Sequence, residues 1–164
     1  MTDMLVRLYD LPDDNAFLAE QARIGVTIRK PDGPEMRQVV NWAGDHFAPS
    51  WASETQRACA NHPVSCFIAV RERKLLGFAC YDATALGFFG PLGVDTACRG
   101  RGTGQALLFA CLLDMKAVGY AYAVIGQVGP LDFYVRTVGA FEIPGSEPGL
   151  SGHWLDPEPG STGT

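Results

Sequence analysis

Between Arg99 and Gly104 the chain reads Arg-Gly-Arg-Gly-Thr-Gly, three glycines alternating with two arginines and a threonine. Glycines at this density let the backbone approach a ligand with no Cβ atoms in the way, and a turn of this kind points several amide N–H groups at one spot. An apolar helical pattern begins directly behind the turn. The unpaired N–H groups and partial positive charge of a helix N-terminus therefore fall at the same place. A phosphate or diphosphate is the guest that suits such a site, with Arg99 and Arg101 adding full charges. Two familiar phosphate loops do not fit. A P-loop would place Gly-Lys-Ser/Thr here, yet Gln105 and Ala106 follow Gly104, and the next lysine is Lys116. A dinucleotide fingerprint would show GxGxxG in an early βαβ unit. The spacing here is GxGxG, it follows three strand-like runs, and no acidic residue ends the next strand at Gly126.

The elements that position this turn are set by apolar spacing. Leu86 to Val94 reads as a strand entering the turn, and Gly102 to Val118 as a long helix leaving it, closed by Gly119. Val64 to Arg71 and Leu75 to Asp82 precede them as β-branched and aromatic runs, the spacing of an antiparallel meander. Gly25 to Lys30 alternates as a first strand and stops at Pro31-Asp32-Gly33-Pro34. Glu35 to Phe47 and Ala52 to Ala60 have helical spacing on either side of the loop Ala48-Pro49-Ser50-Trp51. After the long helix, Tyr120 to Gly126 predicts a strand and Leu131 to Val138 a helix behind Pro130. Phe141 to Ile143 and Leu150 to Leu155 predict two closing strands.

The order β-α-α-β-β-β-α-β-α-β-β predicts a single α/β domain of α+β type over 25–156, a mixed, mostly antiparallel sheet flanked by helices. Residues 1–24, with an alternating run from Met4 to Tyr9 and a helical turn through Phe17 to Ala22, read as an N-terminal extension. Residues 157–164 read as a disordered tail.

Composition narrows the function classes. With 47% hydrophobic and 19% charged residues in 164, the chain is too apolar for disorder and too mixed for a membrane protein. No apolar stretch approaches the roughly 20 residues of a membrane span, and Met1-Thr2-Asp3-Met4 lacks the layout of a secretion signal. The expectation is a cytoplasmic protein without a membrane partner. A net charge of −5 argues against nucleic acid, whose phosphates need a basic face. The five cysteines, Cys59, Cys66, Cys80, Cys98 and Cys111, contain no CxxC pair, so they read as reduced thiols with no metal site.

The turn resembles the Arg/Gln-x-x-Gly-x-Gly/Ala signature of the GNAT superfamily of N-acetyltransferases, as Arg99-x-x-Gly102-x-Gly104 preceded by Gly93-Val94. The order of elements from about Gly25 to Leu155 resembles that family too. The resemblance implies acetyl-CoA as cosubstrate and no metal. The diphosphate would rest on the amides of Arg99, Gly100, Arg101, Gly102, Thr103 and Gly104, with the pantetheine arm beside Leu92, Gly93 and Val94 as a pseudo-strand. A backbone N–H in this stretch would then polarise the thioester carbonyl. Downstream, Gln127 to Tyr134 followed by Gly139-Ala140-Phe141 looks like the family's Asn-x-x-Ala-x-x-x-Tyr helix, with Gln127 in the Asn slot. By that resemblance Tyr134 would return a proton to the departing thiolate, as a phenol of pKa about 10 can. Tyr134 precedes Gly139 by five residues where four is commoner in the family. One extra helical residue rotates a side chain by about 100°, which leaves a packed aromatic as the other reading.

The acceptor implied is a primary amine on a small molecule or peptide, which must lose a proton before it attacks. His46, Glu54 and Asp82 are candidates for that task, and Phe47, Trp51 and Tyr81 for an aromatic pocket wall. His62 and His153 read as structural. A homodimer is an expectation of the resemblance alone. The alternatives left open are a CoA-binding regulatory or interaction module without turnover, and a phosphate-binding domain for another nucleotide.

Overall fold

A computed structural model describes residues 1–13 and 15–156. The chain runs β1 (Met4–Arg7), α1 (Ala16–Arg23), β2 (Thr27–Arg29), α2 (Met36–His46), α3 (Pro49–Ala60), β3 (Cys66–Arg71), β4 (Lys74–Tyr81), β5 (Phe88–Val94), α4 (Thr103–Val118), β6 (Tyr122–Ile125), α5 (Leu131–Val138) and β7 (Phe141–Glu142). Seven strands form one sheet in the order β2-β3-β4-β5-β6-β1-β7. Every pairing is antiparallel except β5 with β6. This is the mixed α/β domain that the apolar spacing predicts.

Two cores arise from the alternation of side chains along β4. Phe78 and Cys80 face Val39 and Ala43 of α2 and Ala58 of α3. Ala79 and Tyr81 face the other way, toward the leucines of α4 and on to Tyr134 and Val138 of α5. α4 is apolar nearly all round, with Ala106, Leu107, Leu108, Phe109, Cys111, Leu112 and Met115 buried. A helix without a polar face needs cover on both sides. The sheet covers one, and α1 covers another, where Phe17 stacks on Phe109 at 6.1 Å between ring centroids.

That packing corrects the reading of residues 1–24 as an extension. β1 lies inside the sheet, Met4 opposite Ile125 of β6 and also opposite Glu142 of β7. Met4 and Val6 are fully buried. The predicted strand at 150–155 is also corrected, since Leu150–His153 forms a 3₁₀ turn. Its backbone is satisfied locally, by Gly152 N–H to Gly149 O and Trp154 N–H to Ser151 O, and the edge of β6 away from β5 is taken by β1. α3 begins at Pro49, so the expected loop is shorter than predicted. Asp14 and the expected tail at 157–164 lie outside the described residues. No helix among the described residues is long and apolar enough to cross a membrane.

β5 opens the sheet beside the glycine turn. Its parallel pairing with β6 stops at Phe89 opposite Ile125, while its pairing with β4 continues to Val94 opposite Gly77. The β4–β5 register shifts between Ala79 and Tyr81, alongside Gly90-Pro91. A bulge bends a strand, and proline has no N–H to offer a neighbour, so β5 leaves β6 at this point. The result is a wedge between the two strands.

Were β1 an appendage, losing the Met4 side chain would change little. As an inner strand it should matter: Met4→Ala is expected to cost about 2–5 kcal/mol, read as a lower urea midpoint at unchanged m-value.

Candidate active site

The wedge opens onto the glycine turn. Val94 ends β5, Asp95 caps a short 3₁₀ turn by accepting from Ala97 N–H at 2.8 Å, and the chain reaches α4 through Gly100 at φ 78° and Gly102 at φ 81°. Side chains rarely adopt such left-handed angles, and Gly102 is the residue preceding the helix. From Gly102 to Gln105 no backbone N–H has an acceptor among the described residues. A glycine at the cap position brings no side-chain oxygen to satisfy them.

These donors border a cavity of about 890 Å³ that runs up the wedge past Leu92, Gly93 and Val94 to Tyr134. Arg99 lines it, with Nε 3.3 Å from the Val94 carbonyl. Gly100, Gly102, Thr103, Gly104 and Gln127 line it as well. The Arg101 side chain is exposed and lies outside the cavity wall. Thr103 turns its hydroxyl inward, donating to Gln21 Oε1 at 2.8 Å, so only its backbone faces the ligand space. Gln127 sits at φ 49° and spends its N–H on Asp3 Oδ1 at 2.9 Å.

α5 continues without a break to Val138 and closes at Gly139, with no bulge between Arg136 and Val138. Gly139, at φ 63°, donates to Val135 O, and Ala140 donates to Tyr134 O. This double return to the last turn is a normal helix ending. Tyr134 and Val138 share the inward face while Val135 is exposed. Tyr134 is 8% exposed, its ring packs against Phe133 at 4.9 Å, and its hydroxyl has no protein partner among the described residues. Burial pushes its pKa up to about 12, so at neutral pH the phenol keeps its proton.

The far wall is aromatic. Phe47 stacks on Trp51 at 4.7 Å and approaches Phe78 at 6.1 Å. The Phe47 ring lies directly on Gly93, where a side chain would overlap it. Beyond Trp51, Phe89 and Gln127 a second cavity of about 500 Å³ begins. Asp3 and Glu54 line it, and among the described residues no lysine or arginine does. Glu54 Oε1 accepts from the Thr84 hydroxyl at 2.5 Å, and burial raises its carboxyl pKa.

The structure separates the remaining candidates from both cavities. His46 stacks on Trp42 at 4.2 Å and shares Nδ1 with the Trp42 carbonyl. Asp82 serves its own turn, accepting from Gly87 N–H and the Tyr120 hydroxyl. Tyr81 is buried with its hydroxyl on Asp114 at 2.8 Å. His62 and His153 are exposed. The described cysteines are all unpaired, and burial holds Cys80 and Cys111 as thiols. Sequence reasoning missed Gln21, Phe17 and Asp3, which lie far upstream of any motif and border the site only once β1 and α1 have docked.

A family model for the acetyltransferase (GNAT) family matches residues 36–139, more than half of the 164-residue chain. The chain belongs to the GNAT family. Its fold recurs in solved structures of low identity. A GCN5-related glucosamine N-acetyltransferase region of a fungal multi-domain GH3 β-N-acetylglucosaminidase matches at TM-score 0.70 and 16% identity, over 87% of this chain and 19% of that one. A GCN5-related N-acetyltransferase from Sphaerobacter thermophilus matches at TM-score 0.62 and 22% identity, over 87% and 48%. One from Kribbella flavida matches at 0.55 and 16%, over 86% and 53%. The chain thus spans about a fifth to a half of these structures' length. No curated protein matches it. Among the described residues no group of three His, Cys, Asp or Glu is placed to hold a metal ion.

Gly93→Ala should force the Phe47 ring out of place. The expected cost is about 1–3 kcal/mol, seen in chemical denaturation, together with a changed Trp51 emission because Trp51 stacks on that ring.

Proposed function

We propose that this GNAT domain transfers an acetyl group from acetyl-CoA to a primary amine of a small molecule or peptide, by direct attack while both are bound. One observation carries the reading: the run of free N–H donors from Gly102 to Gln105 at the head of a cavity of about 890 Å³. Donors left unpaired at a helix start, beside an arginine, match a diphosphate. The course of the cavity, along the unpartnered edge of β5 to Tyr134, suits the pantetheine arm and its thioester.

The amine nitrogen forms a bond to the thioester carbon as the carbon–sulfur bond breaks. A backbone N–H along Leu92 to Val94 donates to the carbonyl oxygen as charge builds there. Tyr134 donates to the departing sulfur. Its pKa of about 12 makes it a weaker acid than a thiol at about 8.5. Full transfer therefore depends on the proton that the amine gives up reaching the phenolate in turn.

The acceptor side is the cavity of about 500 Å³, whose carboxylates, with no lysine or arginine among the described residues of its lining, suit a cationic amine. Glu54 is the carboxylate best placed to take a proton from the arriving ammonium, directly or through water. Its raised pKa has a definite sign. The group is neutralised at a higher pH than an exposed glutamate as the solution is acidified, so base catalysis is lost earlier.

Tyr134→Phe is expected to lower kcat about 100-fold with the KM for acetyl-CoA unchanged, measured by thiol release against a panel of amines. Glu54→Gln should remove the acid limb of the kcat/KM profile, a limb lying above the ordinary carboxylate range. A wild-type chain that binds CoA yet releases no thiol with any amine of the panel would overturn the enzymatic reading in favour of a binding module.

A further inference from the structure

Gln21 lies on α1, outside the residues 36–139 that match the family, and its side chain is fully buried. Both ends of its amide are committed to the glycine turn. Nε2 donates to the Arg101 carbonyl at 2.8 Å, and Oε1 accepts from the Thr103 hydroxyl at 2.8 Å. The backbone carbonyl of Gln21 accepts from Val26 N–H at 2.8 Å, which ties the end of α1 to the start of the β2 segment. Phe17, one turn earlier on the same helix, lies under Gly102, where a Cβ would meet its ring at 3.2 Å.

We infer that Gln21 is a positioning residue for the diphosphate turn, holding the peptide between Arg101 and Gly102 in the orientation that binds anions; this rests on the proposal that the domain binds acetyl-CoA. A trans peptide sets its carbonyl and its N–H on opposite sides. Drawing the Arg101 carbonyl toward α1 therefore turns the Gly102 N–H away from α1. The Thr103 hydroxyl, a side chain in the first turn of α4 that could cap the free donors, is held by the same amide and cannot swing back to them. Gln21 thus performs two tasks with one group: it aims a donor and it removes a competitor.

Both tasks act on the diphosphate and neither on the thioester, which separates this role from general support of the fold. Gln21→Leu and Gln21→Met keep most of the buried volume and remove both hydrogen bonds. In each variant kcat/KM with acetyl-CoA should fall about tenfold, through KM and not kcat. With S-acetylpantetheine, which lacks the diphosphate, kcat/KM should stay at the wild-type value. Titration with CoA should show the same tenfold loss in Kd. An equal fall with both thioesters would overturn the inference in favour of a structural role, as would variants that bind CoA as tightly as wild type. A wild-type chain that fails to bind CoA at all would instead remove the coenzyme reading itself. The second variant keeps the test open should the first not fold.

Discussion

Unpaired backbone donors at the start of α4 set the terms for the rest of this structure. A helix start ordinarily meets its N–H groups with a serine, threonine or aspartate at the cap. Here the cap is Gly102, and the adjacent Thr103 hydroxyl is tied up elsewhere. Donors kept free in this way would gain from collapsing onto any nearby acceptor. The turn holds its shape because two left-handed glycines set its path, α1 grips it from behind, and the splay of β5 from β6 leaves space in front. Each of these features makes sense only together with the others.

The charges divide along the same axis. The helix start and Arg99 make one end of the groove positive, while Asp3 and Glu54 make the second cavity negative. Trp51, Phe89 and Gln127 border both, so the positive and the negative ends lie on either side of a mostly apolar waist. A low-dielectric waist lets each field act over a longer range than it would in water.

Much of this is legible in the residues. The glycine turn, the strand before it and the helix behind it obey local rules of spacing and backbone freedom, and α5 has the limits that its sequence predicts. The place of Tyr134 needs the structure, because the spacing to Gly139 cannot say whether one more residue rotates the helix or lengthens its last turn. The location of β1 is not legible, since an alternating run reveals which face is buried but not which strands lie beside it. Gln21 is silent for a similar reason: a glutamine at a helical position has the same spacing whether it faces water or the core. Arg101 shows the converse. Proximity in the chain groups its side chain with Arg99, yet left-handed turns on either side send the two in different directions.

The slot taken by β1 has a consequence for how the molecule comes into being. Met4 finds its partner at Ile125, so the pairing closes a loop of nearly the whole domain. Contacts of such separation form late and slow the search for the native state. During synthesis the first strand must wait, apolar and unpaired, until β6 has left the ribosome. The grip of α1 on the glycine turn also spans some eighty residues. Completing the sheet and gripping the glycine turn therefore each wait for segments that lie far along the chain from β1 and α1.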